Sequence, residues 1–169
     1  MIKKDFFPNK AAFVTLIAAC LVVIISLGIR QTFGLFFFDF EVDLGRTQTD
    51  FGFAMGIQLL FWGLLGPVFG IITDKYGGKI AVFTGFLFYI AGIYFLNYGP
   101  NTGSWFTFDI GILIGIGLGA TAISIPVSIV AKHFPLNTRT IATGIVTAAG
   151  SFGYVVSPLD TRYTLMEYG

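Results

Sequence analysis

An all-α membrane fold with five spanning helices is what this sequence predicts. Only 11% of the residues are charged and 55% are hydrophobic. Soluble domains carry about a quarter charged residues, so this chain cannot solvate its whole surface and membrane lipid must cover part of it. Five apolar runs reach or approach the roughly 20 residues that a bilayer-spanning helix needs. Lys and Arg collect in alternate loops between those runs, as the positive-inside rule asks of a threaded chain.

The spans follow in order. Residues 11–38 form the first, preceded by a polar lead with Lys3, Lys4 and Lys10. A polar, acidic loop follows, in which Thr47 and Asp50 read as a capping box that opens the next helix. Residues 51–73 are the second span and 80–97 the third. The loop after the third is rich in turn formers, with Gly99, Pro100, Asn101 and Gly103. Residues 106–131 are the fourth span, and a basic loop with Lys132, Pro135, Asn137 and Arg139 leads to the fifth, 141–158. Lys3, Lys4, Lys10, Lys75, Lys79, Lys132 and Arg139 fall on one side, Arg46 and Arg162 on the other, and Arg30 within a span. That bias places the amino terminus in the cytoplasm.

Residues on one helix face recur at spacings of three and four. Gly52, Gly56, Gly63, Gly66 and Gly70 form such a stripe in the second span, which reads as a groove for close contact with another helix. Pro67 removes a hydrogen bond there and should kink the helix. The fourth span repeats the pattern with Gly111, Gly115 and Gly119, then Thr121, Ser124 and Ser128 around Pro126. The fifth carries Thr140, Thr143, Thr147, Ser151 and Tyr154. These hydroxyls either bond to backbone carbonyls and neighbouring helices or line a watery path, the fifth span offering the longer stripe.

Between the second and third spans lies a charged turn, Gly70-Ile71-Ile72-Thr73-Asp74-Lys75-Tyr76-Gly77-Gly78-Lys79. Gly70, Asp74, Lys75, Gly77 and Lys79 resemble the signature loop of the major facilitator superfamily of secondary transporters. Gly78 stands where that pattern usually has a basic residue. The resemblance covers nearly the whole chain and implies the first five helices of a twelve-helix fold. It implies a fragment covering most of one six-helix half, with the C-terminal half of the same transporter missing. Residues 163–169 then correspond to an external loop before a sixth helix. It also implies a secondary active carrier in the cell membrane, moving a small-molecule substrate by alternating access, with Asp74 docking against the other half. As a plain turn, the same loop is capped and solvated, with Gly77 and Gly78 suited to positive φ. The run Gly28-Ile29-Arg30-Gln31-Thr32-Phe33-Gly34, with the glycine-rich later spans, is similar to the monocarboxylate and oxalate–formate branch, which implies an organic anion. No arginine stands near Gly111 or Leu113, which departs from many drug–proton antiporters of the family.

Arg30 carries most functional information. A guanidinium inside hydrocarbon costs roughly 3 kcal/mol or more and cannot deprotonate. It faces a cavity and grips a substrate carboxylate at two points, snorkels to headgroups, or pairs with an acid on a missing helix. Gln31, Thr121, Ser124, Thr147 and Ser151 are the further candidates for substrate contact. Asp109, near the end of the fourth span, reads as interfacial rather than as a proton carrier. His133 is alone in a basic loop, and Cys20 reads as a small apolar filler. The sequence has no phosphate-binding loop, no nucleophile beside a base and no spaced metal ligands. The expectation is a protein that is no enzyme and uses no metal or cofactor. A net charge of +1 leaves no basic surface for nucleic acid. A different class remains open: a self-sufficient, non-transporting membrane scaffold or subunit that assembles through its glycine faces.

Overall fold

A computed structural model describes residues 6–45, 47–100 and 102–168. Lys3, Lys4, Arg46, Asn101 and Gly169 lie outside the described residues. Among those described, every regular element is helical: α1 (Lys10–Thr32), α2 (Phe37–Leu44), α3 (Gln48–Tyr76), α4 (Gly78–Tyr98), α5 (Gly103–Phe106), a π-helical segment (Thr107–Leu113), α6 (Ile114–Thr121), α7 (Ser124–His133) and α8 (Leu136–Tyr168). Five stretches are long and apolar enough to cross a membrane: Lys10–Thr32, Gln48–Tyr76, Gly78–Tyr98, Gly103–His133 and Leu136–Tyr163. The fold class is the predicted one.

Two boundaries move. The first span, expected over 11–38, ends as a helix at Thr32, and a turn and the separate α2 follow. Thr32 Oγ1 donates to the Ile29 carbonyl and helps close that last turn. Gly34 follows, a residue that destabilises helix interiors. The apolar residues beyond it kept the hydropathy high, so composition alone did not mark the stop. At the other end, α8 continues through Pro158 to Tyr168, so the described part of the expected external loop is helical.

The chain divides into two compact units. One comprises Met1–Thr32 and Ala122–Gly169, with α1, α7 and α8. Asn9 opens α1, its Oδ1 accepting from the Ala12 amide at 2.7 Å. Ala12, Leu16, Ala19 and Val23 are buried at spacings of four, three and four, which makes them one inward stripe. The facing stripe on α8 is Ala142, Val146, Gly150 and Gly153. The two helices run parallel and in register: Gly150 meets Val23 and Leu27, Gly153 meets the backbone of Ile24, and Gly28 receives Ser157. A Cβ on Gly153 would stand 2.6 Å from the Ile24 carbonyl oxygen, so glycine sets how near these backbones come. At the other end, the rings of Phe6 and Phe7 pack on Phe134, with centroids 5.6 and 6.2 Å away.

The second unit is Phe33–Thr121. Here the close backbone contacts are made by glycines of the fourth span. A Cβ on Gly52, Gly56, Gly63, Gly66 or Gly70 would meet nothing within 4 Å, so no described residue of this unit packs into that stripe. The fourth-span glycines take the contact. Gly111 lies against Ala54 and Ile57, Gly115 against Gln58 and Phe61, and Gly119 against Leu65. These α3 residues form a face beside the glycine stripe. On the opposite side, Gly117 meets Gly85 and Tyr89, and Gly92 meets Asp109 and Ile114. The fourth span is thus wedged between α3 and α4 by its lack of side chains.

The fourth span is not one regular helix. It opens as α5, widens to π geometry, tightens to α6, and lapses at Ala122 and Ile123 before α7. The lapse has a local cause: Pro126 has no N–H to give the carbonyl of Ala122. The ladder resumes one residue on, where the Val127 amide donates to Ile123 at 3.0 Å. By contrast, α3 runs through Pro67 without interruption.

Candidate functional site

Thr47 caps α3 as the sequence indicated. Its Oγ1 accepts from the Asp50 amide at 3.2 Å, and Asp50 Oδ2 accepts from the Thr47 amide at 3.1 Å. Twenty-nine residues later the helix ends at Tyr76, and the charged turn shrinks to one residue, Gly77. Its φ of 91° and ψ of 151° lie in a region open essentially to glycine alone. Its amide donates to Thr73 at 3.1 Å. Gly78 is already the first residue of α4 and has no positive φ, so of the two glycines suited to one only Gly77 adopts it. Asp74, Lys75 and Lys79 are exposed and Gly70 is half-buried. Lys75 Nζ lies over the Tyr76 ring, 5.4 Å from its centroid.

Arg30 is half-buried in the last turn of α1, and Gln31 beside it is exposed. Thr147 and Ser151 are exposed on α8, and Ser124 is exposed at the start of α7. The α1–α8 register pairs Gly28 with Ser157. Continuing it sets Arg30 about 12 Å along the axis from Ser151 and about 18 Å from Thr147, at 1.5 Å per residue. The candidates in this unit therefore occupy successive levels and do not ring one point. Ser157, which the sequence reading omitted, lies two residues from the level of Arg30 in that register. It extends the α8 stripe by three residues beyond Tyr154, so the spacing signal was present.

Several stripe hydroxyls bond to their own helix. Thr143 Oγ1 donates to the carbonyls of Arg139 and Thr140 at 3.0 and 3.1 Å, and Thr147 Oγ1 to that of Thr143 at 3.1 Å. Ser128 Oγ donates to Ile125 at 2.9 Å. Thr121 belongs to the other unit, is fully buried, and donates to Gly117 at 2.9 Å. His133 is exposed, with Nδ1 2.9 Å from the Ile129 carbonyl.

The second unit holds a buried amide that spacing did not flag. Gln58 is fully buried, and its Nε2 donates to the Ile110 carbonyl at 3.0 Å. It ties α3 to the π-helical segment across 52 residues. Asp109 is only 1% exposed. The glycines Gly111, Gly115 and Gly119 let this part of the fourth span lie close against α3. Among the described residues no group of three or more His, Cys, Asp or Glu could hold a metal ion.

The comparisons agree with this architecture. Human monocarboxylate transporter 6 is 21% identical over 158 residues, which are 94% of this chain and 31% of that protein. The MFS-type transporter opdF of Penicillium oxalicum is 21% identical over 94% of this chain and 37% of its own length. The probable nitrate transporter NarT of Staphylococcus aureus is 28% identical over 115 residues, 68% of this chain and 28% of that protein. The chain thus spans about a third of the length of these relatives. No solved structure matches. The sequence profile of the Major Facilitator Superfamily matches residues 12–168. With its five apolar helices, this multi-pass membrane chain belongs to the Major Facilitator Superfamily.

Proposed function

We propose that the chain is part of a secondary active carrier that moves a small organic anion, of the monocarboxylate kind, by alternating access. The carrying observation is Arg30, a permanent cation half-buried in the last turn of a membrane span. Such a group is expensive in hydrocarbon and marks a solute path by default. Its planar fork matches a carboxylate at two points. Two relatives are named for monocarboxylate and for nitrate, both small anions, which supports the same chemistry. Gln31, Ser124 and Ser151 supply neutral donors in the unit of Arg30, while Thr147 and Thr121 give their O–H groups to the carbonyls of Thr143 and Gly117. The amino terminus faces the cytoplasm. Asp74 and the Gly77 turn act as a latch against the C-terminal half, which lies outside this chain, as one half rocks against the other.

The test is labelled uptake into vesicles that contain the natural full-length protein, with a panel of monocarboxylates and nitrate. The expected result is saturable uptake of one anion, competed by anions of similar geometry. Uptake confined to neutral or cationic solutes, or no uptake at all, argues against this reading. The second outcome favours a scaffold.

A further inference from the structure

We propose that Gln58 is a positioning residue: its amide holds the fourth span one residue out of α-helical register, and so fixes where the Thr102 end of that span lies. The clamp stands on the geometry of the second unit. Its part in transport rests on the reading of the chain as part of a carrier.

In a regular α-helix the Ile110 carbonyl would accept from the Ile114 amide, four residues on. Here the Ile114 amide donates to Asp109, five residues back, and the α register resumes at Ile114. A ladder that changes from five-residue to four-residue steps passes over one carbonyl, and at this change it is that of Ile110. A buried carbonyl requires a donor. Gln58 Nε2 supplies it at 3.0 Å, from another helix. Gln58 thus stands in for the Ile114 amide.

This bond is what offsets the burial of the side chain. Gln58 is fully buried, and its Oε1 receives no hydrogen bond from any described residue. An amide placed so is costly unless it is hydrogen-bonded. The buried residues of α3 are Ala54, Gln58, Phe69 and Thr73. Only Gln58 and Thr73 among them have a side-chain donor, and Thr73 stands about 22 Å further along the helix. A leucine of similar volume would fill the place of Gln58 and leave the Ile110 carbonyl bare.

The glycines decide which part of the span the clamp controls. Gly111 lies against Ala54 and Ile57, Gly115 against Gln58 and Phe61, Gly117 against Gly85 and Tyr89, and Gly119 against Leu65. These contacts seat the span from Gly111 onward against α3 and α4. The preceding turns are held by rings: Phe106 meets Phe40 at 5.5 Å between centroids, and Trp105 meets Phe95 at 6.2 Å. Without the clamp, the Ile114 amide returns to Ile110 and the widened turn closes. The segment before it then slides by one residue, a rotation of about 100° and a shift of about 1.5 Å, and Thr107 comes to the place of Phe106. That place is in a buried cluster with Ala54 and Ile110, so the slide is disfavoured while Gln58 holds the carbonyl. Widened turns of this kind are rare and recur at functional sites.

The test is pulsed electron spin resonance on the natural full-length protein in phospholipid vesicles. Its native cysteines are replaced, and nitroxide labels are set on Thr49→Cys and Ser104→Cys, exposed positions in the first turns of α3 and the fourth span. Gln58→Leu should displace the Ser104 label by about 8 Å, the chord of that rotation at the helix surface, and so shift the distance between the labels. Deletion of Phe108 in the same variant removes the extra residue and should return the distance to its starting value. An unchanged distance in Gln58→Leu, or a change that the deletion leaves in place, overturns the clamp. Gln58→Asn, whose amide falls one methylene short of Ile110, serves in the same way if Gln58→Leu fails to fold. In uptake of a labelled monocarboxylate at equal membrane abundance, Gln58→Leu should lower the maximal rate about tenfold at an unchanged KM, and the deletion should restore it. An unchanged maximal rate, a raised KM, or a loss that the deletion does not restore overturns the transport role. If the unaltered protein moves no anion, the carrier reading and the transport role fall together, while the label distances still decide the clamp.

Discussion

Gly115 approaches Gln58 so closely that a Cβ would stand 3.0 Å from the Gln58 carbonyl oxygen, and 2.9 Å from the Phe61 Cβ. Gly56, on the exposed face of α3, has nothing within 4 Å of its own Cβ position. Gly115→Ala should therefore destabilise the chain by about 1–3 kcal/mol, the usual cost of forcing atoms into a packed contact. Gly56→Ala should be neutral or gain up to about 1 kcal/mol from helix propensity. Thermal unfolding of this chain in detergent distinguishes the two.

The one-residue turn at Gly77 gives a second expectation. Its φ of 91° and ψ of 151° strain any side chain, at a cost on the order of 1–3 kcal/mol. Gly77→Ala should lower the unfolding midpoint, whereas Gly78→Ala, in the first turn of α4, should not.

The cap of α3 is measurable in the same way. Thr47→Ala removes the acceptor of the Asp50 amide and should cost about 1 kcal/mol. Thr47→Ser keeps the oxygen and should restore most of it.

Threading can be checked by labelling. Single cysteines replacing Lys75 and Lys132 should react with an impermeant reagent from one face of the membrane. A cysteine replacing Arg46 should react from the opposite face.

These expectations also mark what the sequence disclosed. The spans were legible because length and apolarity alone decide whether a segment crosses a bilayer. The Thr47–Asp50 cap was legible because it is local. The partner of each glycine stripe was not. Spacing shows that Gly52 to Gly70 share a face, but it says nothing of what that face meets, and the contact went to Gly111, Gly115 and Gly119. The burial of Asp109 was hidden for the same reason. Its distance from the span end shows its depth, while its burial accompanies glycines two to ten residues later that lie close against α3. The stop at Thr32 was hidden because the apolar residues after it have the composition of a span without its geometry.

Arg30 as the anion contact has one most direct test. At equal membrane abundance of the full-length protein, Arg30→Lys should raise the KM for the transported anion about tenfold, near 1.4 kcal/mol, because an ammonium lacks the two-point fork. Arg30→Ala should abolish uptake. Uptake by Arg30→Ala with an unchanged KM would contradict the assignment.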